Sequence, residues 1–231
     1  MNKPENSRFV GIDVGGPRKG FHLVCLRSDR QISAVLQTTL ADQVAATLHA
    51  WGGPAAIKVV AIDSPCGWSM DGGSRQAERE LEIDGDKIHC FSTPTRVRAE
   101  EHLEHARQQG RSDFYGWVRN GMSLFHALAD VWPLYRGECQ FPFSVETFPH
   151  AVACYLEGRR VARGVRARRQ LLDRVLAGPI SGQLGNADFV DAALCALAAR
   201  AFGGQQGGPG QTYRQFGNPQ EGFIVVPRGQ G

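Results

Sequence analysis

The sequence lacks most of the features that would assign a chain of 231 residues at a glance. No run approaches the roughly 18 consecutive apolar residues of a membrane span, and the opening MNKPENSR has no apolar stretch of a secretory signal. A cytoplasmic protein with no membrane partner is therefore expected. The cysteines at 25, 66, 90, 139, 154 and 195 stand singly, with no CxxC pair to indicate structural zinc or redox exchange, so reduced and mostly buried thiols are expected. A net charge of +3 is too small to imply a polyanionic partner, although charge can still be clustered locally. Gly15 to Gly20 imitates a phosphate loop, but Phe21 and His22 stand where Lys and Ser or Thr are needed. What remains is ordinary globular composition, 42% hydrophobic and 21% charged, in enough chain for one sizeable core.

Against that background one stretch stands out, Arg8 to Gly20, where RFVGIDVGGPRKG delivers a single aspartate, Asp13, into a glycine-rich turn. Phe9, Val10, Ile12 and Val14 put apolar residues on both faces of a strand, so Asp13 is the only charge in an element covered on two sides. A carboxylate there needs a cation or hydrogen-bond donors, or it protonates. Gly20 to Arg27 and Ile32 to Thr38 read as two further strands of an antiparallel meander. Leu40 to Trp51 changes to helical spacing and stops at Gly52-Gly53-Pro54, and Ile57 to Ile62 is a buried-type strand ending at Asp63. Gly67 to Arg111 is polar and weakly periodic, and reads as a helical or loop insertion covering the substrate. Asp113 to Tyr135 predicts one long helix with Phe114, Trp117, Val118, Leu124, Phe125, Leu128 and Val131 in its apolar stripe. Phe141 to Val145 is a short strand ending in Glu146, Pro149 begins a helix, and Ala187 to Phe202 is an alanine-rich helix. A glycine-rich tail from about residue 203 leads to a final edge strand, Glu221 to Pro227. The whole reads as a single domain spanning residues 1–231.

Acids thus stand at three strand ends, Asp13, Asp63 and Glu146, while Asp188 and Asp191, three apart, share one face of the last helix. Carboxylates about 4 Å apart repel by roughly 4 kcal/mol at an effective dielectric of about 20, so such a cluster requires divalent cations or protons. Oxygen ligands suit one or two Mg2+ or Mn2+ ions. Each acid alone also reads as a turn residue or a solvated charge, and Asp188 as an N-cap. Arg159, Arg160, Arg163, Arg166, Arg168 and Arg169 crowd one stretch, and on a helix 159, 163 and 166 line one side. Six phosphate contacts would give a log-log salt slope of about −5, the alternative being a solvated basic face. His102 and His105, spaced as a metal pair, lack a third ligand nearby.

The order of elements and the placement of the acids resemble the ribonuclease H-like fold, a mixed α/β sheet whose three-strand antiparallel meander is extended by parallel strands and flanked by helices. GIDVGGPRKG, VVAIDSPCGW followed by Arg75, VETFP, NADFVDAALCALAAR and EGFIVVP resemble an uncharacterised prokaryotic family of predicted RNase H-like nucleases, domain of unknown function 429, over about Phe9 to Pro227. The last helix is also similar to that of Holliday-junction resolvases. The resemblance implies hydrolysis of phosphodiester bonds in nucleic acid with two metal ions roughly 3.5 to 4 Å apart. It makes Asp13 the ligand shared by both ions, Asp63 the second-strand ligand, and Asp188, Asp191 and Glu146 the rest of the set, Asp13, Asp63 and Asp191 first. Lys19 would steady charge on the phosphate, and Arg75 and Glu78 would touch substrate. Two other readings remain open. A non-catalytic module binding nucleic acid or a partner would keep the fold and the arginines without the metal. An actin-like or sugar-kinase-like phosphotransferase also opens on an aspartate in a glycine-rich turn, but it has two such domains and a second phosphate loop.

Overall fold

Three apolar strands joined by short turns begin the chain, β1 (Arg8–Val14), β2 (Phe21–Arg27) and β3 (Ile32–Thr38), paired antiparallel. The computed structural model describes residues 7–138, 140–180, 182–203 and 212–228. Helices α1 (Ala41–Ala50) and α2 (Gly53–Ala56) return the chain to β4 (Ile57–Asp63), which lies parallel to β1. Then come α3 (Gln76–Glu80), the small hairpin β5 (Glu82–Ile83) and β6 (Asp86–Lys87), α4 (Arg96–Gln108) and α5 (Gly116–Leu128). The chain continues through β7 (Phe143–Glu146), α6 (Pro149–Glu157), α7 (Val165–Val175), α8 (Ala187–Gly203), β8 (Tyr213–Asn218) and β9 (Gly222–Pro227). The main sheet has seven strands in the order β3-β2-β1-β4-β7-β9-β8, an antiparallel meander extended by the parallel strands β4, β7 and β9. This is the expected α/β class, consistent with a ribonuclease H-like fold.

Both faces of the sheet are covered. On one, Val44 and Leu48 of α1 and Leu124, Phe125 and Leu128 of α5 meet Val10, Ile12, Val60 and Ile62. On the other, α8 packs against Phe9, Val24, Val59 and Ala61, with α6 and α7 outside it. Buried between sheet and helices, α8 is apolar almost all round, as such a helix must be. Its alanines matter for distance: a Cβ at Gly11 would lie 2.1 Å from both Ala192 O and Ala196 N, so α8 rests on the bare backbone of β1. That contact carries the first turn of α8 to the end of β1. Among the described residues, no helix is long and apolar enough to cross a membrane.

Several expectations need correcting. The long helix over 113–135 is shortened to the 13 residues of α5: Asp113 Oδ1 accepts from Tyr115 N at 3.0 Å and holds a turn before it, Phe114 is exposed, and Pro133 bars extension beyond it. The arginine stretch does not form one helix from 159. Gly158, at φ 67°, ends α6 in a left-handed turn, and helix resumes only after Gly164, so Arg159 and Arg163 sit outside α7 while Arg166 sits on it. The final strand is not an edge, because β8 pairs along its outer side. The segment 67–111 carries two helices and a hairpin, and Ala77, Leu81, Ile83 and Ile88 join the core. Cys25, Cys66, Cys90, Cys154 and Cys195 are free thiols, and Cys139 lies outside the described residues, as does much of the expected tail.

Candidate metal centre

Strand register assembles the site. Asp13 lies opposite His22 on β2 and level with Asp63 on β4, and His22 lies opposite Gln37 on β3. Register partners share a face, so Gln37, His22, Asp13 and Asp63 form a row across four strands. Gly11, two residues before Asp13, marks that face as the one carrying α8. Asn186 caps α8 by accepting from Phe189 N at 2.9 Å, which leaves Asp188 free of the capping role, in the first turn, with Asp191 about one turn further on. The helix therefore adds two carboxylates to the row.

The charges respond as a crowded cluster should. Burial, then Asp191 and Asp188, push the Asp13 carboxyl up to about 8, and the Asp63 carboxyl, still more deeply set and hydrogen-bonded to Asp13, is raised well above its ordinary value. Both carboxyls are thereby biased toward the protonated form. Burial lifts Asp191 to about 6, although Arg168 Nη1 sits 2.9 Å from its Oδ1. Lys19 Nζ donates to both oxygens of Asp188, at 3.0 and 2.9 Å, and this bond raises the lysine pKa. His22 is 1% exposed, with Gln37 beside it on β3, and burial lowers its pKa, which favours the neutral form that can ligate. Its Nε2 lies 3.8 Å from Asp188 Oδ2. Asp13, His22 and Asp188 each offer a ligand atom within 4.8 Å of the others, a spacing one cation can bridge. Among the described residues the His102 and His105 pair forms no such group: His102 faces Asp113 and His105 meets Gln109.

Two expected site residues lie elsewhere. Glu146 pairs in register with Ile62 rather than Asp63, which turns its side chain out of the row, and there it is 3% exposed. Arg75 grips it through both terminal guanidinium nitrogens, Nη1 to Oε2 at 2.8 Å and Nη2 to Oε1, and the Cys66 backbone N–H donates to Oε2 at 2.9 Å. Its oxygens are spoken for, so Glu146 does not match the expected ligand set. Arg75, 1% exposed and also bonded to Glu78 at 2.8 Å, is not placed to touch substrate. Together these groups brace the turn after Asp63, with Glu221 receiving Met70 N and Gln76 N from the following segment. Of the basic residues expected to meet substrate, Lys19 lies at the cluster, Arg159 and Arg166 are exposed, and the Arg163 guanidinium bonds His89 O.

A family profile described as Protein of unknown function (DUF429) matches residues 11–221. The chain belongs to that family. The DUF429 span takes in the whole acidic row, both residues of the α8 pair, and the Arg75, Glu78, Glu146 and Glu221 brace. No curated protein and no solved structure matches the chain.

His22 is the residue that sequence reasoning missed, having been noted only as a departure from a phosphate loop. A count outward from the turn would have found it, since closing the hairpin on Val14 and Phe21 sets His22 against Asp13.

Proposed function

We propose that this chain is a divalent-metal-dependent nuclease. The observation that carries the reading is the convergence of Asp13 and Asp63 from adjacent strand ends with Asp188 and Asp191 from α8, at a place where carboxylates are forced to hold protons unless a cation replaces them. A bound divalent ion supplies Lewis-acid polarisation of a phosphoryl oxygen and a lowered pKa for an attacking water. Asp13, Asp63, Asp188 and Asp191 would hold one or two such ions, and His22 adds a neutral nitrogen. A mixed oxygen and nitrogen set favours Mn2+ over Mg2+ relative to an all-carboxylate one. Lys19 and Arg168, released from Asp188 and Asp191, would then be free to neutralise a phosphate. Calorimetric titration with Mn2+ tests the reading: the wild type binds one or two ions and Asp13→Asn loses them, after which a panel of single- and double-stranded DNA and RNA is cleaved by the first protein alone.

One observation favours a second reading. Both α8 acids already have cationic partners within the chain, Lys19 and Arg168, so half of the cluster is neutralised without metal. A non-catalytic nucleic-acid-binding module fits that arrangement. Absence of Mn2+ binding, both alone and with a duplex present, would put this reading first.

A further inference from the structure

Between α6 and the start of α7 lies a cavity of about 290 Å³ whose walls include Arg159, Arg160, Arg168 and Arg174, over a floor of Ala153 and Leu171. Arg174 is paired with Glu157 and Arg168 with Asp191, whereas Arg159 and Arg160 have no acidic partner among the described residues. Arg168 Nε, buried, lacks a hydrogen-bond partner, as does Nδ1 of His150, which lies on α6 outside the cavity's lining. His150 lies one turn before Ala153 on α6, 6% exposed, and is held down to about 4 by burial and then by Arg163, Arg168 and Arg160. Glu157 also lines the cavity, but its carboxylate is already paired with Arg174, so the open-sided cavity combines an excess of positive charge with the partnerless Nε of Arg168. A tetrahedral oxyanion provides both the charge and the acceptors, and planar guanidinium forks are the groups that bind it best. The volume leaves room beside a phosphate for part of whatever carries it.

Arg168 links this cavity to the acidic row, because it lines the one and its guanidinium sits 2.9 Å from Asp191 in the other. We propose that the cavity binds the phosphate group of a phosphorylated ligand, and that its occupant draws Arg168 from Asp191, so that anion and metal binding strengthen each other. The first half stands independently of the metal centre; the second rests on the metal-dependent reading above. An arginine shared between two anions is held less firmly by each. A metal at Asp191 frees Arg168 for the phosphate, and a phosphate frees Asp191 for the metal, by the same factor in both directions.

Sulfate and inorganic phosphate, titrated calorimetrically in EDTA, probe the cavity without metal. Wild type is expected to bind, and the exposed double variant Arg159→Gln/Arg160→Gln to bind at least tenfold more weakly with unchanged thermal unfolding. No binding, or undiminished binding by the double variant, overturns the cavity assignment. A 5′-phosphorylated dinucleotide compared with its unphosphorylated form separates the sources: preference over inorganic phosphate assigns a nucleotide strand, and equal affinity assigns the free anion. Mn2+ titration with and without saturating sulfate then reads the coupling, expected as a roughly fivefold or greater tightening in the wild type. Arg168→Gln should bind Mn2+ tightly with or without sulfate, and Arg168→Lys, which keeps the charge but not the fork, should show reduced coupling. Identical Mn2+ affinities with and without sulfate in the wild type overturn the coupling. Anion binding with no Mn2+ binding would remove the metal-dependent reading and leave the cavity standing.

Discussion

Replacing Asp13 by asparagine is expected to stabilise the metal-free protein. In the unfolded chain this carboxyl titrates near 3.8, whereas in the fold burial and its acidic neighbours raise it to about 8. Between these values the native state binds more protons than the unfolded state, so unfolding free energy falls as pH rises. The stability associated with the protonated carboxyl is therefore complete below about pH 4 and lost progressively up to about pH 8. At pH 7 the displacement of about three pH units corresponds to about 4 kcal/mol at 1.36 kcal/mol per unit. Partial solvent contact and the proton shared with Asp63 reduce this to about 2 kcal/mol. Asparagine is neutral in both states and its Oδ1 can still accept from Asp63, so Asp13→Asn should be about 2 kcal/mol more stable than wild type at pH 8 and equal to it at pH 4. Urea unfolding followed by tryptophan fluorescence in EDTA at pH 4, 6 and 8 measures this directly. Excess Mn2+ should then reverse the order at pH 8, because only the wild type regains stability by binding it. A wild-type stability that stays flat from pH 4 to 8, or an Asp13→Asn protein less stable at pH 8 in EDTA, would refute the electrostatic account.

Three further perturbations address separate parts of the structure. Gly11→Ala places a Cβ 2.1 Å from two backbone atoms of α8, so the helix must move off β1; a loss of about 3 kcal/mol in urea unfolding is expected, together with weaker Mn2+ binding as Asp188 and Asp191 shift. Glu146→Gln leaves the buried Arg75 with Glu78 as its one carboxylate and should lower stability by about 3 to 5 kcal/mol, while unchanged Mn2+ stoichiometry in the folded fraction would agree with its place outside the ligand set. Lys19→Met removes the cation competing for Asp188, and calorimetry at low salt should show tighter Mn2+ binding; equal affinity would mean that the Lys19 pair does not compete with metal.

What the amino-acid order makes legible here is whatever depends on neighbours in the chain. A lone aspartate at the end of an apolar run is visible as such at Asp13 and Asp63, and the three-residue spacing that puts Asp188 and Asp191 on one helix face is visible too. What depends on register or on two elements meeting is not. Glu146 ends an apolar strand just as Asp63 does, and nothing local separates them; the difference is that β7 pairs with Ile62 one position early, which by the two-residue period of a strand sends one acid into the cluster and the other to Arg75. Arg168 is one of six arginines in its stretch, and only the docking of α7 against α8 gives it Asp191. β8 escaped notice because Tyr213 is its one fully buried side chain, so it shows no clean alternation, as befits a polar edge. The break at Gly158 and Gly164 was there to be read, and reading it would have replaced an arginine stripe on a helix with what the structure has instead: a loop and a helix that fold their arginines around a cavity.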